Sequence, residues 1–264
     1  MIIRILTENS ACSPELIAEH GLSLYIETEN RRVLFDAGQS DAFAKNAERM
    51  GVDLSRVDLA VLSHGHYDHG GGLLRFLEIN DHAPVYVSRH AFGGHYNASG
   101  KYIGLEPELI GHPRLIAAQG VMDIGDGLTL YACEGMPMRT PLDSAGLTRS
   151  DGEMQIPDDF RHEQYLLIRE GEKQVLISGC SHRGILNITA AFEPDVLVGG
   201  FHFMKLDPAL DADRARLECA AKALLAHKTL YYTGHCTGEA PYAFLKGIMG
   251  ERLLSLSTGM TIEL

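Results

Sequence analysis

The strongest constraint on this chain is a ten-residue stretch rich in groups that bind transition metals, Ser63-His64-Gly65-His66-Tyr67-Asp68-His69-Gly70-Gly71-Gly72. It directly follows an apolar run typical of a buried strand, Asp58-Leu59-Ala60-Val61-Leu62. If the backbone turns sharply there, His64 and His66 can point at one ion, while Asp68 and His69 face a second point nearby. Imidazole nitrogen and carboxylate oxygen suit zinc, manganese and iron(II), with bonds of about 2.0–2.2 Å. The stretch therefore predicts a metal site in the loop after a strand.

Three further histidines stand where an apolar strand is predicted to end and a nearby glycine permits a tight turn. They are His182 in Gly179-Cys180-Ser181-His182, His202 in Gly199-Gly200-Phe201-His202, and His235 in Gly234-His235-Cys236. We expect an imidazole at such a place to reach inward from a rigid support. A site for two ions needs more than four ligands, so these histidines are the candidates for the rest.

The composition is that of an ordinary globular protein, and it narrows the classes of partner. With 264 residues, 45% of them hydrophobic, the chain can bury a sizeable core. The formal charge of −12 argues against nucleic acid, although a phosphorylated small molecule fits because bound cations supply local positive charge. Five widely spaced cysteines favour reduced thiols and a cytoplasmic location. We expect no signal peptide and no contact with a membrane, because no apolar run approaches roughly 20 residues.

Strand-like and helix-like patterns alternate along the chain without a linker, a repeat or a low-complexity segment. Residues 23–28 and 31–35 predict a hairpin, and residues 41–50 predict a helix that Gly51 ends. Residues 89–113 and 135–162 are interrupted by glycines and prolines, so they predict two irregular loops that could cover the site. We expect a single domain over residues 1–264.

The spacing of His64, His66, Asp68 and His69 matches the His-x-His-x-Asp-His fingerprint, so the chain resembles the metallo-β-lactamase superfamily. The resemblance implies an α/β fold, a four-layer αβ/βα sandwich with the metals at one edge between two sheets. In that family an aspartate at the position of Asp36 supports the metal loop by hydrogen bonding. Asp36 could equally cap the helix that begins near Ser40.

A narrower resemblance rests on Gly-Cys-Ser-His, Gly-Gly-Phe-His and His-Cys-Thr-Gly in this order, together with residues 19–23 and 162–164. These segments are similar to the 7,8-dihydropterin-6-methyl-4-(β-D-ribofuranosyl)aminobenzene-5′-phosphate synthase-like proteins. The chain departs from the wider superfamily twice. The usual Gly-His is missing from residues 132–136, and Gly179-Cys180 replaces the usual Gly-Asp.

From these departures we infer that His182 completes the first metal site beside His64 and His66. Asp68, His69 and His235 would hold the second metal. Without a bridging carboxylate, the Cys180 thiolate or a hydroxide could bridge the ions. His202 is more plausibly a substrate contact or a supporting hydrogen-bond donor than a ligand.

A metal with an open position lowers the pKa of bound water toward about 7, so the sequence favours a hydrolase of ester, lactone, thioester or phosphoester bonds. We expect two zinc ions, with manganese or iron as alternatives. Asp68 would orient the water, His202 or His162 would protonate the leaving group, and Cys180 could contact substrate. The resemblance implies a second option, a transferase that joins a dihydropterin diphosphate to a ribofuranosyl-aminobenzene phosphate. A third option is a metal-bound sensor or effector of small molecules without physiological turnover.

Overall fold

The computed structural model describes residues 1–264, which form seventeen strands and six α-helices. The strands are β1 (Ile2–Thr7), β2 (Ser23–Glu27), β3 (Arg32–Phe35), β4 (Leu59–Val61), β5 (Val85–Ser88), β6 (His95–Tyr96), β7 (Leu115–Ala118), β8 (Val121–Gly125), β9 (Leu128–Ala132), β10 (Thr148–Asp151), β11 (Met154–Pro157), β12 (Gln164–Glu170), β13 (Lys173–Gly179), β14 (Val196–Gly199), β15 (Leu230–Thr233), β16 (Leu253–Ser255) and β17 (Thr261–Glu263). The helices are α1 (Ala42–Arg49), α2 (Tyr67–Gly70), α3 (Leu73–Ile79), α4 (Ile185–Phe192), α5 (Asp211–Leu225) and α6 (Glu239–Met249).

Two seven-stranded sheets pack face to face and carry helices on their outer sides. The first sheet has the order β17-β1-β2-β3-β4-β5-β7, and the second has the order β16-β15-β14-β13-β12-β9-β8. One apolar cluster lies between the sheets, a second contains residues of α1 and α3, and a third contains residues of α4, α5 and α6. This α/β arrangement is the expected four-layer αβ/βα sandwich.

The layers follow from side-chain alternation along the strands, because successive residues of a strand point to opposite faces. In β13, Val175 and Ile177 enter the cluster between the sheets, while Leu176 enters the cluster under the helices. In β3, Val33 faces the other sheet and Leu34 faces the outer helices. Strands buried on both faces therefore read as continuous apolar runs, which is how the sequence shows them.

Most predicted elements are confirmed, and one prediction is correct only in part. The hairpin is present as β2 and β3, which pair antiparallel, and the predicted helix is α1, after which Gly51 takes a φ of +69°. The two segments predicted as irregular loops are irregular over much of their length, but they also contain β6, β10 and β11, which form a three-stranded sheet of order β11-β10-β6. Glycine and proline punctuation marks hairpin turns as readily as loops, so local sequence alone did not separate the two.

None of the helices combines the length and the apolar composition that a bilayer crossing requires.

The packing between the sheets predicts a large stability cost for truncating a side chain there. Ile177 is fully buried in that cluster, so Ile177→Ala should lower the free energy of unfolding by about 2–5 kcal/mol through lost burial and a residual cavity. Urea denaturation measures this change. Val121 is 66% exposed, so Val121→Ala should shift stability by no more than about 0.5 kcal/mol. Equal effects of the two substitutions would contradict the layer assignment.

Candidate metal centre

All the predicted ligands lie at one edge of the molecule. Strands β3, β4 and β5 run parallel to one another, and so do β13, β14 and β15, so within each set the carboxyl ends meet at one edge. The ten-residue loop leaves that edge after β4, and α2 begins inside it. His182 and His235 follow β13 and β15 of the other sheet. The structure thus brings His64, His66, Asp68, His69, His182 and His235 together from segments far apart in sequence.

Asp36 holds the ten-residue loop in place. Its Oδ1 accepts the Ser63 backbone N–H at 2.7 Å, and its Oδ2 accepts the Ser63 hydroxyl at 2.7 Å. The same Oδ2 lies 2.6 Å from Nδ1 of His69. Asp36 does not cap α1, whose N-cap residue is Asp41. The alternative considered from the sequence is therefore wrong, and Asp36 takes the hydrogen-bonding position that the family resemblance implies.

Hydrogen bonds to Nδ1 fix the tautomers of three histidines. Nδ1 of His69 donates to Asp36, and Nδ1 of His235 lies 2.9 Å from Oδ1 of Asn9. The Ser63 hydroxyl donates to Asp36, so its lone pair is free to accept from Nδ1 of His64 at 2.8 Å. With the proton on Nδ1, each Nε2 presents a lone pair. This is the arrangement that metal-binding histidines use.

The Nε2 atoms converge at the spacing of ligands around one ion. His64 Nε2 lies 3.2 Å from His182 Nε2, and His69 Nε2 lies 3.2 Å from His235 Nε2. A tetrahedral ion with bonds of about 2.0 Å places neighbouring ligand atoms about 3.3 Å apart. Two lone pairs at this distance repel each other unless a proton or a metal cation lies between them. The clusters His64/His66/His182, His64/His69/Cys180 and His20/Asp68/His235 could each hold a metal ion.

The charge balance of the site favours a cation. Burial is the largest effect on the pKa values of His64, His66 and His182 and holds them well below the ordinary value, so these rings are neutral. Burial opposes ionisation of Asp68, but His69, His20 and His235 outweigh it and hold the pKa of Asp68 well below its usual range. Although burial also opposes a charge on His69, Asp36 and Asp68 raise the pKa of that ring. The carboxylates of Asp36 and Asp68 therefore stabilise a positive charge next to them.

Asp68, Cys180 and His20 lie close to the imidazoles of His69 and His235. Asp68 Oδ2 lies 3.2 Å from His235 Nε2 and 3.4 Å from His20 Nε2. Cys180 Sγ lies 3.1 Å from His69 Nε2, where the sequence predicted a bridging thiolate or a substrate contact. Burial raises the pKa of the Cys180 thiol well above its usual value, so the thiol is neutral unless a cation stabilises its ionised form.

Two buried glutamates that the sequence analysis missed hold the turns carrying His182 and His235. Glu163 accepts the backbone N–H groups of His182 and Arg183 at 2.6 and 2.9 Å. Glu8 accepts the backbone N–H of His235 at 2.6 Å. Burial raises the pKa of Glu163 to about 7. No local pattern marks Glu8, because Glu8 and His235 are 227 positions apart, and residues 162–164 were singled out without a role for Glu163.

Strained backbone conformations also concentrate here. Asp36, Ser181, His202 and His235 all have positive φ, between +48° and +60°. Side chains other than glycine rarely adopt this region, and such strain persists where surrounding contacts enforce it. Gly179 lies against the ten-residue loop, where an added Cβ would be 2.5 Å from Ser63 Cβ. The end of β13 is therefore in close contact with the ten-residue loop of the other sheet.

His162 does not reach the cavity, so the structure does not support the predicted role in substrate binding or proton donation. It is fully buried, and its Nδ1 accepts the Gly65 backbone N–H at 2.9 Å. Burial lowers the pKa of His162 to about 4, so the neutral ring carries its proton on Nε2, which faces Asp158 Oδ2 at 3.3 Å. His95 Nδ1 lies 3.0 Å from the same oxygen.

The four buried groups His66, His95, Asp158 and His162 are close enough to hold an ion. The proton on His162 Nε2 argues against one, because that nitrogen then has no lone pair to offer. We read Asp158 as the acceptor of the His95 N–H, with the His162 N–H close to the same carboxylate but not aligned for a hydrogen bond. His162 in turn holds Gly65, which lies between the proposed ligands His64 and His66.

An open cavity of about 460 Å³ lies over the proposed ligands. It is lined by His20, His66, Tyr67, Asp68, Asn97, Ala98, Ser99, Ile103, Leu147, Cys180, His182, His202, Met204, Lys205, His235 and Cys236. His202 belongs to none of the candidate metal clusters, and its ring centroid lies 4.3 Å from that of His182. Burial, followed by nearby Lys205, lowers the pKa of His202 to about 4, so the ring is neutral at pH 7.

Removing the charge of Asp36 should weaken metal binding without unfolding the protein. In Asp36→Asn, the amide oxygen still accepts one hydrogen bond, but the carboxylate no longer orients both Ser63 and His69. We expect zinc affinity to fall by about 10–100-fold, measured by competition with a chromophoric chelator. Asp41→Asn alters an exposed carboxylate at the start of α1 and serves as the control. Unchanged affinity in Asp36→Asn would contradict the supporting role.

Comparisons with known proteins agree with this geometry. The model of the metallo-beta-lactamase superfamily matches residues 17–155. The uncharacterized protein MJ0448 of Methanocaldococcus jannaschii is 31% identical over 213 residues, which cover 77% of this chain and 80% of that protein. The 7,8-dihydropterin-6-methyl-4-(beta-D-ribofuranosyl)-aminobenzene-5′-phosphate synthase of the same organism is 27% identical over 249 residues, covering 84% of this chain and 82% of the synthase.

A solved structure that is similar over the whole chain is Tm1679. Tm1679, described as a metal-dependent hydrolase of the β-lactamase superfamily, superimposes with a TM-score of 0.84 and 29% identity, covering 100% of this chain and 99% of that chain. The family model covers more than half of this chain, and the fold and the position of the His/Asp clusters agree with it. The chain therefore belongs to the metallo-β-lactamase superfamily.

Proposed function

We propose that this protein is a metal-dependent hydrolase of ester, lactone, thioester or phosphoester bonds that works with two zinc ions. One observation carries the proposal. Hydrogen bonds at Nδ1 leave the Nε2 lone pairs of His64, His69 and His235 free, and Nε2 of His235 lies 3.2 Å from the carboxylate of Asp68, where both residues line an open cavity. The description of Tm1679 as a metal-dependent hydrolase supports the same class of reaction.

The donor set divides into two groups. His64, His66 and His182 would hold the first ion, and Asp68, His69 and His235 would hold the second. Cys180 and His20 are placed to complete the second group, since each lies within 3.4 Å of one of its members. When bound, the ions would act as Lewis acids and lower the pKa of a water molecule toward about 7. Manganese or iron would also suit this mixture of imidazole and carboxylate.

We propose Asp68 and His202 as the groups that act on the reacting atoms. Asp68 is ionised, so its carboxylate can orient a water molecule by accepting a hydrogen bond from it. His202 is neutral at pH 7 and lines the cavity beside His182, so it can donate an N–H hydrogen bond to the leaving group. The exposed ring of His20, which contacts Asp68, gives a route to solvent for the proton that this water releases.

A transferase is the second candidate. The relative from Methanocaldococcus jannaschii that is named as a synthase spans 84% of this chain. The same donor set could neutralise a diphosphate leaving group while a ribofuranosyl-aminobenzene phosphate displaces it from a dihydropterin. The two reactions separate in an assay, because the transferase needs both organic substrates and releases diphosphate, whereas the hydrolase consumes water.

Replacing a proposed ligand of either metal ion should lower the metal content and the activity together. We expect about two zinc ions per chain in the wild type and about one in His182→Ala or His235→Ala, by elemental analysis. Hydrolysis of bis(p-nitrophenyl) phosphate and p-nitrophenyl esters should fall by about a hundredfold or more in both variants and after chelation.

The control is His82→Ala, which alters an exposed histidine away from the cavity. Full metal content in both ligand variants would overturn the ligand assignment. Bound metal with no turnover of any ester would favour a sensor or effector of small molecules over a hydrolase.

A further inference from the structure

A second cavity of about 320 Å³ adjoins the proposed metal site. It is called the side chamber here, and its lining comes from residues 140–145, the start of α4, residues 201–206 and one face of α5. His182, His202 and Lys205 line both the side chamber and the cavity over the metal site. A molecule whose reacting group lies over the metal site can therefore extend past these residues into the side chamber.

The wall of the side chamber is apolar and aromatic. Nine of its eighteen lining residues are hydrophobic, and they include Phe201, Phe203, Leu206, Ile185 and Leu142. Phe201 and Ile185 are each 1% exposed and belong to the core under the helices, so this part of the wall is rigid. Preformed concave sites of about 300–1,000 Å³ with apolar walls are typical of small-molecule binding. The volume suits one or two flat rings better than a long chain.

A few polar groups in the lining would recognise an anionic or hydrogen-bond-accepting substituent. The backbone N–H groups of Ile185 and Leu186 open α4 without an acceptor in the protein, and its N-cap residue, Gly184, provides no side-chain cap. His182 is 5% exposed and lines the chamber, and its Nδ1 has no partner. With Nε2 directed at the metal site, Nδ1–H is a donor without an acceptor. Such a buried donor favours a ligand that carries one.

The charged residues that line the side chamber carry a small net positive charge. Arg216 pairs with Asp143 at 3.0 Å, and Lys205 adds an uncompensated positive charge close to the metal cavity. The net charge of this lining is therefore opposite in sign to the formal charge of the whole chain, which is −12. Local positive charge in a concave site attracts anions even when the protein is acidic.

We propose that the side chamber binds the non-reacting part of the substrate, a flat aromatic group of one or two rings that carries an anionic substituent. This substrate assignment rests on the proposed function, whereas binding of such a group does not. An aryl ester or aryl phosphoester would place its reacting bond over the proposed metals and its rings against Phe203 and Leu206.

The first test measures binding without turnover. The probe is 1-anilinonaphthalene-8-sulfonate, which combines aromatic rings with an anionic sulfonate and fluoresces when it enters an apolar site. Leu206→Trp fills the side chamber, and Leu210→Trp adds the same side chain at a residue that is 58% exposed and outside the lining. We expect about tenfold weaker binding in Leu206→Trp, unchanged binding in Leu210→Trp, and about threefold weaker binding in Arg216→Gln.

The second test measures specificity on the same proteins loaded with zinc. Wild type should hydrolyse phenyl p-nitrophenyl phosphate with kcat/KM about tenfold above that for methyl p-nitrophenyl phosphate. Leu206→Trp should lose this preference, whereas Leu210→Trp should keep it. Circular dichroism and zinc content establish that the variants are folded and loaded.

The outcomes separate the two proposals. Equal affinity for the probe in wild type, Leu206→Trp and Leu210→Trp places the probe elsewhere and overturns the side chamber as a binding site. Selective loss in Leu206→Trp without hydrolysis of either phosphodiester supports the side chamber and counts against the proposed phosphoesterase activity. Hydrolysis with the same aryl preference in Leu206→Trp overturns the assignment of the substrate rings to the side chamber.

Discussion

The site depends on one carboxylate, Asp36, at the end of β3. Its oxygens accept the backbone N–H and hydroxyl of Ser63 and contact the imidazole of His69, so one buried group ties the first residue of the ten-residue loop to His69 within it. The adjacent strands β3 and β4 are parallel, which places Asp36 beside the point where the loop leaves the sheet. A buried carboxylate is costly unless its hydrogen bonds are complete. The same hydrogen bonds keep the ring protons of His64 and His69 on Nδ1, so that each Nε2 presents a lone pair to a cation.

The second sheet repeats this design with different residues. Glu163 and Glu8 are buried carboxylates that accept backbone N–H groups of the turns carrying His182 and His235. The contacts of 3.2 Å between imidazoles of opposite sheets then depend on the distance between the sheets, which the apolar cluster containing Ile177 and Phe35 sets. Packing of the core therefore determines the geometry of the site. A change in the distance between the sheets would move the proposed ligands of one sheet relative to those of the other.

The strands, the helices and the ligand candidates could be predicted because local patterns indicate them, and the four-layer fold was implied by the family resemblance that the histidine spacing carries. Apolar runs of strand length and the spacing of His64, His66, Asp68 and His69 need no knowledge of distant contacts. The supporting residues were not predictable in this way. Glu8 contacts a residue 227 positions away, and His95 meets Asp158 only because β6 and β10 pair in a small sheet that local sequence did not reveal. Such partners are chosen by topology rather than by periodicity.

Proximity of donor atoms does not by itself distinguish a metal site from a hydrogen-bond network. His66, His95, Asp158 and His162 lie as close together as the proposed ligands do. In that cluster the Gly65 N–H occupies Nδ1 of His162 and leaves the ring proton on Nε2, facing Asp158. In the proposed centre, Asp36, Ser63 and Asn9 occupy Nδ1 as acceptors and leave Nε2 without a proton. A histidine in such a cluster therefore either carries its proton on Nε2 or offers its Nε2 lone pair to a metal, and the hydrogen-bond partner of Nδ1 determines which.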